Sequence, residues 1–178
     1  MKINHTITYP SSKKIYIKGK IHDIRVGMRR ITLLDTISEE GGTLKNEKNK
    51  PIVVYDTSGA YSDAGVDITR GLHRLREEWI EQRADTEKLP AFSSEYCNRR
   101  LDDKSLDAVR FPVINLPRRA KVGQCISQMY YAQQGVITPE MEYVAIRENQ
   151  QNEELGIATH ITPEFVRDEI AADRKSVV

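Results

Sequence analysis

The sequence predicts an α+β fold: short N-terminal strands forming a small sheet, followed by a helical C-terminal half. Three observations predict it. Apolar and polar residues alternate in Lys14-Ile15-Tyr16-Ile17-Lys18, the β-favouring run "PIVVY" occupies 51–55, and the letters Ile-Thr-Pro-Glu open two stretches, at 137–140 and 161–164. A chain of 178 residues, 39% of them hydrophobic, suits a single domain over 1–178 with its own core. Residues 1–12 are expected to form a flexible arm.

Taking the elements in order, Ile15 and Ile17 should share one face of a first strand, with further strand character around Ile31 and Leu33. Residues 38–50, "SEEGGTLKNEKNK", combine a glycine pair with dense charge and no periodicity, so an exposed loop is expected there. "PIVVY" reads as a strand buried on both faces. In "ITRGLHRLREEWIEQR", Leu72, Leu75 and Trp79 recur at helical spacing, predicting an amphipathic helix anchored by Trp79. Residues 84–117 hold several prolines and only one short helical candidate, Lys104 to Val109. From Gly123 onward the pattern is helical, with Cys125, Met129 and Ala132 on one face and Gly135 at a left-handed C-terminal cap.

Helix physics explains the repeated tetrapeptide. Thr138 and Thr162 can each accept a first-turn N–H, Pro139 and Pro163 fit the first helical position, and Glu140 and Glu164 put negative charge at the positive end of the helix dipole. Ile161 and Val166 stand at the positions of a hydrophobic staple.

Chemistry is sparse. Lys plus Arg number 27 against 26 Asp plus Glu, so the chain has no bulk attraction to nucleic acid or to an anionic membrane, and neither is expected as a partner. No apolar run approaches the length of a membrane span, and the first residues lack a secretory core, so a cytoplasmic location is expected. Cys97 and Cys125 are expected as reduced thiols, one or both buried. His5, His22, His73 and His160 are scattered singly without metal-site spacing, each a surface residue or a hydrogen-bonded one. "YDTSG" at 55–59 carries an insertion relative to an aspartic-protease turn, so a tight turn closed by Asp56 or Ser58 is the reading. "PRRAKVGQ" is the densest basic cluster. Arg118, Arg119 and Lys121 either hold a phosphate together with a helix N-terminus or form a solvated, salt-bridged face. Phe165, Val166 and Ile170 either present an apolar face to a partner or complete the domain's own core.

The letters themselves carry a resemblance. "RRAKVGQCISQMYYAQQGVITPEMEYVAIREN" followed by "ITPEFVRDEIA", with "DIRVGMRRITLLDT", "VYDTSGAYSD" and "GLHRLREEWIEQR" before them in order, is similar to the N-terminal part of phosphomethylpyrimidine synthase. The resemblance implies an N-terminal domain that precedes a (β/α)8 barrel and a C-terminal segment with three closely spaced cysteines. It implies a radical enzyme of thiamine biosynthesis that converts 5-aminoimidazole ribonucleotide to 4-amino-5-hydroxymethyl-2-methylpyrimidine phosphate. Its cofactors would be a 4Fe-4S cluster, S-adenosylmethionine and zinc, and its assembly a homodimer. None of the family's substrate, zinc or cluster ligands falls on a residue of this stretch, so the piece is expected to hold no cofactor, to be inactive alone, and to pack on the remainder of the synthase. A free-standing interaction module that keeps the fold without the enzyme is the alternative. Tyr130 and Gln133 stand where many members have histidine and arginine.

Overall fold

The computed structural model describes residues 10–59, 66, 71–110, 115–150 and 161–173. Within them, small antiparallel sheets fill the N-terminal half and helices the C-terminal half, the α+β arrangement expected. The flexible arm expected over 1–12 lies mostly outside the described residues, and its last residue, Ser12, already begins a strand.

The main sheet has three strands in the order β1-β2-β5: β1 (Ser12–Lys18), β2 (Arg25–Ile31) and β5 (Ile52–Tyr55). Antiparallel register sets Ile15 opposite Met28 and Ile17 opposite Val26, so the two isoleucines do share a face, and it is the core face. Val26 and Met28 are fully buried there with Val53. The expectation for "PIVVY" needs correcting: β5 is an edge strand, with Val53 buried but Ile52 38% exposed. An edge position also accommodates Pro51 at its entrance.

A second correction concerns residues 38–50. They are exposed, as expected, but most of them form a hairpin of β3 (Thr36–Glu40) and β4 (Thr43–Glu47). Gly41 and Gly42 both have positive φ, +59° and +78°, the two-residue turn whose twist matches antiparallel strands. Dense charge had masked that turn signal.

The helix predicted from "ITRGLHRLREEWIEQR" is shorter than its periodicity suggests. Helix α1 covers Glu77–Arg83 and begins at Arg76, which supplies no side-chain cap. Trp79 is buried as expected, whereas Leu72 and Leu75 lie before the first turn and are 59% and 44% exposed. The stretch 84–117 holds more than the sequence reading assigned. It contains helix α2 (Glu95–Asp102), capped by Ser94, and strand β6 (Thr86–Lys88), which pairs with β7 (Arg118–Ala120). The helical candidate at Lys104 to Val109 is a single 3-10 turn, Lys104–Leu106.

Three helices close the fold: α3 (Gln128–Gln133), α4 (Pro139–Glu148) and α5 (Pro163–Ala171). Helix α3 starts later than expected because Ser127 caps it, which leaves Cys125 outside the helix and exposed. Ala132 is buried, and Gly135, at φ +76°, donates its N–H to the Ala132 carbonyl. Thr138 and Thr162 cap α4 and α5 with a proline at the first position of each, as the echo predicted.

Helix α4 is the keystone. Met141 and Ala145, one turn apart, pack with Ala132 and Val166 into one core cluster. Tyr143 and Ile146 point instead into the cluster beneath the main sheet. Val166 and Ile170 belong to the first cluster together with Ile161, so the staple forms and these residues complete the domain's own core. Phe165 does not join them and is 50% exposed.

Candidate functional site

The most tightly organised polar site is built on Glu142, which α4 aims at the loop between β1 and β2. The residue is 1% exposed. One carboxylate oxygen accepts the backbone N–H groups of Lys20 at 2.5 Å and Ile21 at 2.8 Å; the other accepts the His22 backbone N–H and its ring Nδ1–H, both at 2.8 Å. Burial alone would push this carboxyl up. The N–H of Ile21, the His22 ring and the N–H groups of Lys20 and His22 outweigh that effect and hold it below the ordinary carboxylate range. Gly19 makes the loop possible, since a Cβ there would sit 2.5 Å from the His22 carbonyl oxygen, 2.7 Å from Ile24 and 3.0 Å from Glu142.

Beside this clamp a groove of about 410 Å³ opens between the main sheet, α4 and the start of α5. Ile15, Ile17 and Val53 line its sheet side, and Ala145, Ile146 and Ile161 its helix side. Asn149, at the end of α4, secures the helix side by donating to the Ile161 carbonyl and accepting the Ile161 N–H at 3.0 Å.

A second polar cluster joins α1 to α4. Arg83 grips Glu140 through two parallel bonds of 2.8 and 3.0 Å, and Arg76 adds a third at 3.0 Å. Desolvation raises the Glu140 carboxyl, but the Arg83 contact overcomes it and the group lies below its usual range. The Arg83 guanidinium also stacks 5.4 Å from the Tyr131 ring, and the Tyr131 hydroxyl donates to Asp85. Burial, together with the Asp85 carboxylate, pushes the Tyr131 phenol up to about 12. Next to this cluster, Trp79 packs on Tyr143, 5.8 Å between centroids, and Tyr143 meets Tyr55 edge-on with the two hydroxyls 3.0 Å apart.

The basic residues singled out from the sequence lie on or beside β7, not at a helix start. Arg118 bonds Thr86 at 3.0 Å and Glu81 at 3.2 Å, Arg119 pairs with Glu87 at 2.6 Å, and Lys121 reaches the Ala84 carbonyl at 2.5 Å. Arg118 and Arg119 are thus ion-paired, and Lys121 is held by a backbone carbonyl. Asp56 closes the predicted tight turn by accepting the Ser58 N–H at 2.8 Å and the Ser58 hydroxyl, and it pairs with Arg29 at 2.9 Å.

The cysteines are not buried: Cys97 is half-buried and Cys125 exposed, both as free thiols. Ser127, through its N–H and hydroxyl, draws the Cys125 thiol below its ordinary range. His22 is the hydrogen-bonded histidine anticipated, His73 is exposed, and His5 and His160 lie outside the described residues. Tyr130 is 40% exposed and rests edge-on against Tyr131. Among the described residues, no three His, Cys, Asp or Glu side chains cluster as metal ligands, and no helix is long and apolar enough to cross a membrane.

Sequence reasoning missed Glu142 and Glu140 as organising groups. Glu142 lay inside a helix whose acidic residues resemble ordinary surface positions, and nothing in the local letters marks its partners 120 positions earlier.

The stretch that builds β1 to β5, the hairpin, α1 and the start of β6 corresponds to a known family: residues 8–87 match the model of the ThiC-associated domain. This stretch is thus similar to the ThiC-associated domain, consistent with the N-terminal part of ThiC, the phosphomethylpyrimidine synthase that the sequence resembles.

Proposed function

We propose that this chain serves phosphomethylpyrimidine synthase as a bracing domain, in the enzyme that converts 5-aminoimidazole ribonucleotide to the hydroxymethylpyrimidine phosphate of thiamine biosynthesis. The observation that carries this reading is the match over residues 8–87, joined to what the described polar groups do. Glu142, Glu140, Arg83, Asp56 and Arg118 each tie one element to another, and their oxygens and nitrogens are directed into the fold. Catalytic groups require room for a reacting atom between them.

The donor set does not fit an iron–sulfur cluster. Such a cluster takes thiolates from several cysteines, and this chain has 2, one in α2 and one before α3. No step of the radical chemistry is therefore assigned to these residues. In this reading the cluster, S-adenosylmethionine and zinc belong to other parts of the synthase, and the domain's contribution is to support the barrel and the homodimer.

Anaerobic reconstitution of the 178-residue chain with iron, sulfide, S-adenosylmethionine and the aminoimidazole ribonucleotide tests the proposal. The expected result is a folded protein without visible cluster absorbance and without pyrimidine product. Product formation by this chain alone would overturn it.

A further inference from the structure

Charge is unevenly spread along the chain, although the whole sequence is close to neutral. Residues 13–30, within β1, β2 and the loop that joins them, hold seven Lys and Arg and a single acid, Asp23, so the remainder is net acidic. Register concentrates this charge: Lys13 lies opposite Arg30, Lys14 opposite Arg29 and Lys18 opposite Arg25. Like charges directly across a ladder destabilise it. Lysines on an edge strand discourage pairing with another sheet, which accounts for Lys13, Lys14 and Lys18 on β1. That reason does not extend to Arg25, which stands on the central strand.

Alternation puts Lys14, Tyr16 and Lys18 on the face of the sheet away from the core, with Arg29, Gly27 and Arg25 as their cross-strand partners. At one end of this face the charge is already met, since Arg29 pairs with Asp56 and Lys14 donates to the Ser58 carbonyl. The end next to the β1–β2 loop differs. Lys18, Arg25 and the loop residue Lys20 are exposed, and none is ion-paired among the described residues. Asp23 is the one exposed acid of that loop, so the three cations leave a surplus of two positive charges. The Glu142 carboxylate makes no contact with them, because its oxygens are filled by the loop's N–H groups and the His22 ring. Its effect is to fix the loop backbone. Beside the loop, the Arg25 guanidinium lies 5.6 Å from the ring of Tyr16, itself 47% exposed. The cations are thus carried on a backbone and against a ring that hold them in place before any ligand arrives.

We propose that the loop end of this face binds a phosphate monoester. Near pH 7 such a group carries about two negative charges and three strong acceptor oxygens, which match the surplus. The planar fork of Arg25 takes two phosphoryl oxygens, and the Lys18 ammonium across the ladder takes the third, with Lys20 at the rim. The anion also relieves the repulsion between Lys18 and Arg25. The arginines of β7 do not offer this, since Arg118 and Arg119 already hold carboxylates. The site adds a ligand to the bracing role and stands independently of it.

Isothermal titration of the 178-residue chain with glycerol 1-phosphate at fixed ionic strength tests the proposal, with dimethyl phosphate and a short oligothymidylate as comparison ligands. One saturable site with a Kd of about 1 mM or tighter is expected for the monoester, and weaker binding for the singly charged dimethyl phosphate. Arg25→Gln and Lys18→Gln should each weaken monoester binding by about tenfold. Arg25→Lys should recover little of that loss, because an ammonium lacks the fork. Arg119→Gln should leave binding unchanged. Thermal unfolding supplies a second readout, which a purely structural role for Lys18 would move the other way. Without ligand, Lys18→Gln should raise the melting temperature by removing cross-strand repulsion, and it should erase the rise that glycerol 1-phosphate gives the parent chain. Absence of saturable binding, binding indifferent to Arg25→Gln and Lys18→Gln, a lower melting temperature for unliganded Lys18→Gln, or tighter binding of the oligothymidylate than of the monoester would each overturn the proposal.

Discussion

The Glu142 carboxylate accepts both the backbone N–H and the ring Nδ1–H of His22 at 2.8 Å, joining the middle of α4 to the loop between β1 and β2. With Lys20 and Ile21 added, one side chain satisfies three consecutive backbone donors. That arrangement resembles the anion-binding nests that loops form around ligands, except that the anion is supplied by the protein itself. Removing it strands the donors. Glu142→Ala is expected to cost about 3–5 kcal/mol, the range for breaking a buried charged contact from one side. Glu142→Gln, which keeps the shape but turns an N–H₂ toward donors, should cost about 1–3 kcal/mol. Urea unfolding followed by tryptophan fluorescence measures both, since Trp79 packs on Tyr143 next in the same helix.

The same contact sets a pH dependence. The folded carboxyl of Glu142 lies below its ordinary value, so below about pH 4.5 the unfolded chain binds the proton more readily than the folded one. The stabilisation is fully present above that pH and is lost as pH falls through the folded value. Glu140 and Asp56 are shifted in the same direction and add to the loss. Unfolding free energy measured between pH 7 and pH 3 should therefore fall at the acid end, and Glu142→Gln should flatten the fall. An identical slope in the variant would show that the clamp does not contribute.

Gly19→Ala tests the loop from the other side. A methyl group there meets a backbone carbonyl at 2.5 Å and the Ile24 side chain at 2.7 Å, and the carbonyl cannot move without pulling His22 off Glu142. The expected cost is about 1–3 kcal/mol, typical of overpacking. Combined with Glu142→Ala the costs should be less than additive, because both damage one contact.

How much of this was legible depends on how local the signal is. The caps at Thr138 and Thr162, the staple of Ile161 and Val166, the turn at Asp56 and the shared face of Ile15 and Ile17 are each written within a few residues, and each was readable. The hairpin at 36–47 was half-legible: its glycine pair is a turn signal, but only Ile37 and Leu44 are apolar, so period-two alternation is too weak to mark the strands. Helix α1 was overextended because Leu72 and Leu75 continue the spacing of Trp79 without continuing the backbone. Strands β6 and β7 are three residues each and become strands only by pairing with each other across the intervening helix α2. Glu140 was legible only as a first-turn charge and Glu142 not at all, because the partners that make them anchors are 57 and 120 positions away.

The Arg83–Glu140 pair should resist conservative replacement. Its two parallel bonds use the planar fork of a guanidinium, which an ammonium cannot reproduce. With both side chains less than one-fifth exposed, a double-mutant cycle using Arg83→Lys and Glu140→Gln is expected to give a coupling of about 1–2 kcal/mol. Arg83→Lys alone should lose most of that. A coupling near zero would place this contact with ordinary surface ion pairs.

The two copies of Ile-Thr-Pro-Glu should differ in weight although their letters agree. Thr162 accepts the Phe165 N–H at 3.1 Å from a half-buried position, so Thr162→Ala should cost about 1 kcal/mol, the usual value for a cap. Thr138 is 1% exposed; its hydroxyl accepts the Met141 N–H at 3.4 Å and donates to the Gln128 side-chain oxygen at 2.6 Å, tying α4 to α3. Thr138→Ala removes the cap and also strands Gln128 in a partly buried site, for an expected cost of about 2–3 kcal/mol. Thr138→Ser keeps both hydrogen bonds and should recover most of the difference. Thermal unfolding of the three variants decides it: equal losses for Thr138→Ala and Thr162→Ala would mean that the Gln128 bond adds nothing and that the cap alone sets the cost.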